Sequence, residues 1–308
     1  MKYRQKRFLQ ISRHLLSFPL IILSIISYAH GGETEHFMSG VAGIKAASLP
    51  PPGFYYRLYN IFYNADRLID EKGDDSNLDF DLEVYAMAHR FLWISETKIL
   101  GANYFANIIV PFVDTDIQIK DYGIDTSKFG LGDIFIEPFC LAWHSKRFDS
   151  AFALAVMAPT GKYDKSDPAS PGKDIWTGLI TLGGTLYLDA GKAWAASILT
   201  RYEIHSEKDH TDIRPGEDFH FEWGISKTIL KGLDIGLTGY CQWQVSDDRG
   251  SDVNWDKNVH DRIFSAGPEI EVILPVWKLS FSLRSQREFK ATDRAEGNIT
   301  VFTLTKMF

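Results

Sequence analysis

The sequence predicts an all-β protein, an antiparallel transmembrane β-barrel of about twelve strands with short periplasmic turns and long external loops. Three observations predict it. Apolar and polar residues alternate at period two in one run after another. Most runs are longer than the five or six residues usual in soluble sheets and fit the roughly 9–11 or more that cross a bilayer at a tilt. The links between them are alternately short and long, as in a barrel with turns at one rim and loops at the other.

Lys2, Arg4, Lys6, Arg7 and Arg13 form a basic region, and an apolar run from Leu15 to Ile26 leads into Ser27-Tyr28-Ala29. That is the pattern of a secretory signal peptide over residues 1–29. The run is too short for a spanning helix, and no other stretch holds about 18 consecutive apolar residues. Residues 30–52 follow without alternation, rich in Gly and Ala, and end in Pro50, Pro51 and Pro52, which must be extended. Two readings of this segment stand even: a periplasmic lead-in whose prolines direct the first strand, or a plug that folds into the lumen and is displaced by a ligand. His30, Glu33, Glu35 and His36 match no zinc spacing and read as a solvated tail.

Residues 53–308 form the barrel. Candidate strands lie at 54–63, 78–93, 99–113, 131–144, 148–158, 175–188, 193–204, 218–229, 233–246, 260–274, 276–289 and 297–308. The alternation is clearest in "DFHFEWGIS", where Phe219, Phe221, Trp223 and Ile225 oppose His220, Glu222, Gly224 and Ser226. It recurs in 233–246, in 277–288 and in "NLDFDLEVYAMA", which sets Leu78, Phe80, Leu82 and Val84 against Asp79, Asp81, Glu83 and Tyr85. The links at 95–98, 144–147, 189–192, 230–232 and around Pro275 are short. Those at 64–77, 114–130, 159–174, 205–217, 247–259 and 290–296 are mostly longer, acidic or rich in Gly and Pro.

If the apolar faces point to lipid, Trp143, Trp194, Trp277 and Phe308 fall near the periplasmic rim, and Trp176, Phe219, Trp243 and Phe264 near the outer rim, giving two aromatic belts. Phe308 at the end of the last strand resembles the sorting signal by which barrel-assembly machinery recognises a C-terminal strand, although Lys306 on the same face departs from that pattern. A secreted β-sandwich or a soluble lipocalin-like barrel also alternates, but seldom carries so many polar face residues on strands this long.

The opposite faces then fill the lumen. The inward candidates are Asp79, Asp81, Glu83 and Tyr85 on the second strand, Asn103 and Asn107 on the third, and Asp133 and Glu137 on the fourth. Arg201 and Glu203 follow on the seventh, His220 and Glu222 on the eighth, Glu269 and Glu271 on the tenth, and Arg284, Gln286 and Glu288 on the eleventh. Carboxylates outnumber bases, so they must pair, hold water or bind protons. A salt-bridge network that plugs the lumen is favoured over a polar, cation-tolerant path, because twelve strands enclose little space beyond their own side chains.

Composition excludes several classes. Aromatics are 14%, yet mean hydropathy is only −0.14, unlike a helical membrane protein. A net charge of −7 argues against a nucleic-acid partner. Cys140 and Cys241 fall on faces expected to meet lipid, on distant strands, and are not expected to form a disulfide. His89, His144, His205, His210, His220 and His260 have no convincing adjacent serine for a hydrolase. The acidic loops match no calcium spacing; they read as solvated, facing outer-membrane lipid and lipopolysaccharide. No cofactor and no metal site is expected.

Several blocks in order, "SLPPPGFYYRLYNIFYNADRL", "LGANYFANIIVPF", "GLGDIFIEPFCLAWH", "MAPTGKYD" and "TVFTLTKMF", resemble the phenol meta-pathway degradation family of outer-membrane proteins, akin to the sphingosine-induced outer-membrane proteins. The resemblance runs from about Gly31 to Phe308 and rests on the order of the blocks. It implies a porin-like barrel for passage or sensing of small hydrophobic compounds, aromatic hydrocarbons or lipid-like molecules, passive and non-enzymatic. It transfers no catalytic or binding residue. The alternatives are a structural envelope barrel with a plugged lumen and, more weakly, an outer-membrane lipid hydrolase.

Overall fold

The computed structural model describes residues 34–308, so the expected signal peptide, His30 and Glu33 lie outside the described residues. Twelve antiparallel strands close into a barrel: β1 (Gly53–Ala65), β3 (Phe80–Ile99), β4 (Ala102–Ile119), β6 (Ile134–His144), β7 (Phe148–Ala158), β8 (Thr177–Tyr187), β9 (Trp194–His205), β10 (Asp218–Leu230), β11 (Leu233–Gln244), β12 (Arg262–Leu274), β13 (Leu279–Thr292) and β15 (Asn298–Met307). Each pairs with its sequence neighbours, and β1 pairs with β15 from Tyr55↔Met307 to Asn64↔Asn298. Closure leaves no free edge, the condition for β-structure in lipid.

All twelve expected strands are present, and the wall differs from expectation in length and local register. The turn expected at 95–98 is strand; β3 continues to Ile99 and reverses at Leu100-Gly101, both at positive φ, with a bulge between Ile94 and Lys98. Residues 114–130, expected as a loop, are also largely strand. β4 extends to Ile119, turns at Lys120–Tyr122, and returns as β5 (Ile124–Leu131), which pairs with the upper half of β4 before β6 takes over its lower half. A small sheet of β2 (Leu68–Ile69) and β14 (Arg294–Ala295) ties two loops together.

The face of β3 is the reverse of that expected. Asp79, Asp81 and Glu83 are exposed, and Tyr85 points outward to bond Asn60 and lie against Phe62. Leu82, Val84, Ala86 and Ala88 face inward instead. The parity is set lower on the strand, where Phe91 and Trp93 are the exposed pair, and acidic groups above them stand clear of the apolar wall. Cys140, expected toward lipid, is buried inside with Tyr55, Leu92, Phe105, Ala142 and Ala153. Pro138 lies in a bulge between Ile136 and Phe139, and one extra residue exchanges the two faces. Cys241 stays on the outward face beside Trp243, and both cysteines are free thiols.

Outward side chains form the aromatic rims. At the loop end Phe219, Trp243, Phe264 and Phe289 run side by side, with ring centroids 6.2, 5.3 and 6.1 Å apart, and Trp176 is exposed near them. At the turn end Trp194, Trp277 and Phe308 are exposed, and Trp143 donates from Nε1 to the carbonyl of Leu100 at 3.0 Å. Phe308 packs on Phe54 at 5.8 Å.

Among the outer loops, 159–174 depends on a close backbone crossing. A Cβ added to Gly161 would lie 2.6 Å from the Cα of Gly172. Gly161→Val is expected to cost about 1–3 kcal/mol locally through overpacking. Limited proteolysis should cut this loop while the barrel keeps its resistance to SDS at room temperature.

Candidate functional site

Residues 34–52 run through the barrel from the loop end to the turn end. They have no ladder of their own, so their amides need partners from the wall. Glu203 accepts from the amides of His36 (3.0 Å) and Phe37 (3.1 Å), Glu222 from Ala42 (2.7 Å), and Glu269 from Ile44 (2.8 Å). Hydrogen bonds to charged groups are worth roughly 1.5–3 kcal/mol each, enough in sum to hold the segment rather than let it wander. Lys45 pairs with Asp234 at 2.7 Å near the turn end, and Arg284 donates to the carbonyl of Val41. Glycines make room: Gly43 has φ +75°, and a Cβ there would lie 2.6 Å from Glu269. A Cβ on Gly183 would approach Ala47 to 2.8 Å.

At the loop end a polar ring clamps residues 35 and 36. His36 Nε2 meets Asp133 at 2.9 Å and Nδ1 meets Thr177 at 2.7 Å. Thr177 continues to His205 (2.8 Å), His205 to Asp218 (3.1 Å), and Asp218 through Gln242 (2.9 Å) to Asp261 (3.1 Å). Arg294 then joins Asp261 (2.8 Å) to Glu35 (2.6 Å). Glu35 and His36, expected in a solvated tail, are instead buried and serve different partners, because the barrel encloses the segment. Glu203, His205 and Asp218 have ligand atoms within 4.8 Å of one another. In this structure the three are engaged with one another and with His220, Thr177 and Gln242.

The remaining interior residues read from the sequence cluster on the same structures. Arg201 pairs with Glu222 at 2.9 Å and lies over the ring of Phe37 at 4.1 Å. Glu288 accepts from Tyr63 and Tyr240, and Gln286 donates to Thr238. Asn103 and Asn107 are buried on β4, the latter bonded to Glu137. Glu271 is half-buried on β12. One constellation was not visible in the sequence: Ser39 Oγ lies 3.0 Å from His220 Nδ1, whose Nε2 lies 2.9 Å from Glu203. Ser39 is 2% exposed.

The wall carboxylates that hold the segment's amides, Glu203, Glu222 and Glu269, lie on β9, β10 and β12. Against the other wall the segment leaves a cavity of about 450 Å³. Ile61, Ala86, Ala88, Ile109, Phe135 and Met157 line most of it, facing Phe37, Met38, Val41 and Leu49 of the segment, and charged side chains, Arg57, Arg90 and Glu137 among them, reach its surface. The segment is thus two-sided, its amides on the carboxylate wall and apolar side chains on the cavity. The expectation of a lumen filled by ion pairs holds for one half of the cross-section only. Sequence reading missed the apolar half because β3 was assigned the wrong face; Phe91 and Trp93, beside the turn, were the signal that would have placed Ala86, Ala88 and Arg90 inside.

The COG4313 outer membrane channel from Pseudomonas putida F1 has the same fold, with a TM-score of 0.77 at 13% identity over 88% of this chain and 100% of that one. The β-domain of the Bordetella autotransporter BrkA is more distant, with a TM-score of 0.51 at 10% identity over 84% of this chain and 100% of the other. At these identities the likeness concerns the fold. No curated protein matches in sequence. Residues 65–304 match the family model for the MetA pathway of phenol degradation, Phenol_MetA_deg, and the chain belongs to that family.

Proposed function

We propose that the protein is a passive outer-membrane conduit for small hydrophobic compounds, aromatic or lipid-like, and that residues 34–52 are its movable inner part. The observation that carries this is the 450 Å³ cavity inside the barrel wall, lined largely by apolar side chains. Small-molecule sites are cavities of roughly this size lined by apolar groups, and a passage for hydrophilic solutes has no use for Ile61, Ile109 and Phe135 on its inner wall. The fold shared with an outer-membrane channel and the family membership support the same reading. The outward apolar rows would meet outer-membrane lipid, the acidic loops lipopolysaccharide, and the C-terminal strand the barrel-assembly machinery. The work is binding and passage, without catalysis.

Uptake of a labelled aromatic, a long-chain fatty acid and a sugar, at concentrations where the outer membrane limits entry into the cell, tests this. Loss of aromatic or fatty-acid uptake in a deletion strain, with sugar uptake unchanged, is expected. Equal uptake of all three in both strains would leave a structural barrel with an occupied lumen. Ala88→Trp fills the cavity from β3 and is expected to slow hydrophobic uptake by about tenfold, the equivalent of about 1.4 kcal/mol.

Release of the segment should be separable from uptake. Glu222→Ala with Glu269→Ala leaves two amides without acceptors, at about 1–3 kcal/mol each. Single-barrel ion conductance in planar bilayers is expected to rise, with residues 34–52 becoming open to protease. Ser39 beside His220 and Glu203 favours a second reading, a lipid hydrolase. Acyl release from phospholipid vesicles that vanishes in Ser39→Ala would establish that reading in place of the conduit.

A further inference from the structure

Near the turn end the apolar cavity closes on two arginines. Arg57 of β1 and Arg90 of β3 are directly opposed in the ladder, and both side chains line the cavity. Like charges directly opposite on one face of a sheet are destabilising, so an arrangement of this kind needs a compensating partner. The partners present are incomplete. Arg90 donates from Nε to Asn107 at 3.0 Å and has Glu137 at 3.7 Å. Arg57 donates from Nε to Thr305 at 3.0 Å, and among the described residues no carboxylate comes within 4.0 Å of it. Glu269 and Glu271 of β12, three strands away, attract it, but Glu269 is engaged by Arg284 at 3.4 Å and Glu271 lies more than 4.0 Å from Arg57.

The two guanidinium groups converge on one atom. Nη1 of Arg57 and Nη1 of Arg90 each donate to the phenol oxygen of Tyr59 at 3.4 Å. Tyr59 is buried, and its own hydroxyl proton has no acceptor among the described residues. Nη2 of Arg57 likewise makes no hydrogen bond there. Several donors thus meet at the foot of the cavity and outnumber the acceptors around them among the described residues. By contrast Arg294, near the other end, is matched by Glu35 and Asp261.

We propose that Arg57, Arg90 and Tyr59 form a binding site for the carboxylate of an amphipathic organic acid whose hydrocarbon body occupies the cavity above. A planar carboxylate accepts two parallel bonds from a guanidinium fork. Glu137 and, at longer range, Glu269 and Glu271 already offset part of the charge on the two arginines, so a monoanion suits the site better than a phosphate dianion. The site rests on the proposed conduit function and narrows it: the preferred solutes carry an acid group at one end. Ion pairing at the foot of the cavity holds such a solute in a fixed orientation, head toward the turn end.

The test uses the protein with residues 30–308 in phospholipid nanodiscs, with calorimetric titration of decanoate, decanol and acetate near neutral pH and empty nanodiscs as the blank. Decanoate is expected to bind at least about tenfold more tightly than decanol, the order of one charge-assisted contact, and acetate far more weakly than either. That preference should disappear in Arg57→Gln and in Arg90→Gln. Tyr59→Phe keeps both charges and nearly all the packing, and should reduce decanoate affinity by about two- to tenfold. Equal affinity for decanoate and decanol in the wild type would overturn the carboxylate site and leave the apolar conduit standing. Failure of both to bind would instead count against the conduit itself, and acetate binding as tightly as decanoate would overturn the amphipathic ligand.

Discussion

The structure depends on carboxylates that point into the barrel and are answered by main-chain amides. Glu203, Glu222 and Glu269 lie inside the wall, where an ionised group without partners would be costly. The segment from His36 to Ile44 has the converse need, since it crosses the lumen without secondary structure and carries amides that must be bonded. Each need is met by the other. The wall orders the segment, and the segment keeps the wall's charges from repelling one another.

That exchange divides the lumen. The carboxylates that hold the segment's amides gather on β9, β10 and β12, Phe37 packs on Phe135 at 5.2 Å, and Met38, Val41 and Leu49 border the cavity. Any group that does enter trades contact with water for contact with Ile61, Ile109 and Phe135. The ring from Asp133 round to Arg294 holds one end of the segment, and Lys45 on Asp234 the other, so displacement would have to start between them or break one of the two.

Much of the barrel could be read from the chain. Alternation in 218–229 and 233–246 placed His220, Glu222 and their aromatic opposites on the correct faces, because a single period governs the whole strand and nothing interrupts it. It failed where a strand carries apolar residues on both faces, as in 80–93, and where Pro138 inserts a bulge. In β3 the inner face is apolar because it lines a cavity, so hydrophobicity no longer distinguishes lipid from lumen. The extension of β4 and β5 above the barrel was missed for a related reason: with no bilayer to face, its outer side is as polar as a loop.

The sequence by itself determined the closed antiparallel barrel, its strand number and its aromatic rims, because the bilayer imposes a period, a minimum length and an interface that every strand must meet locally. Only the tertiary structure decided where residues 34–52 go, which carboxylates they satisfy, and that half of the lumen is apolar space. Those outcomes join residues more than a hundred positions apart, such as His36 to Glu203. A periodicity within one strand carries no information about which distant amide a carboxylate will accept, or which opposing wall a free side chain will face.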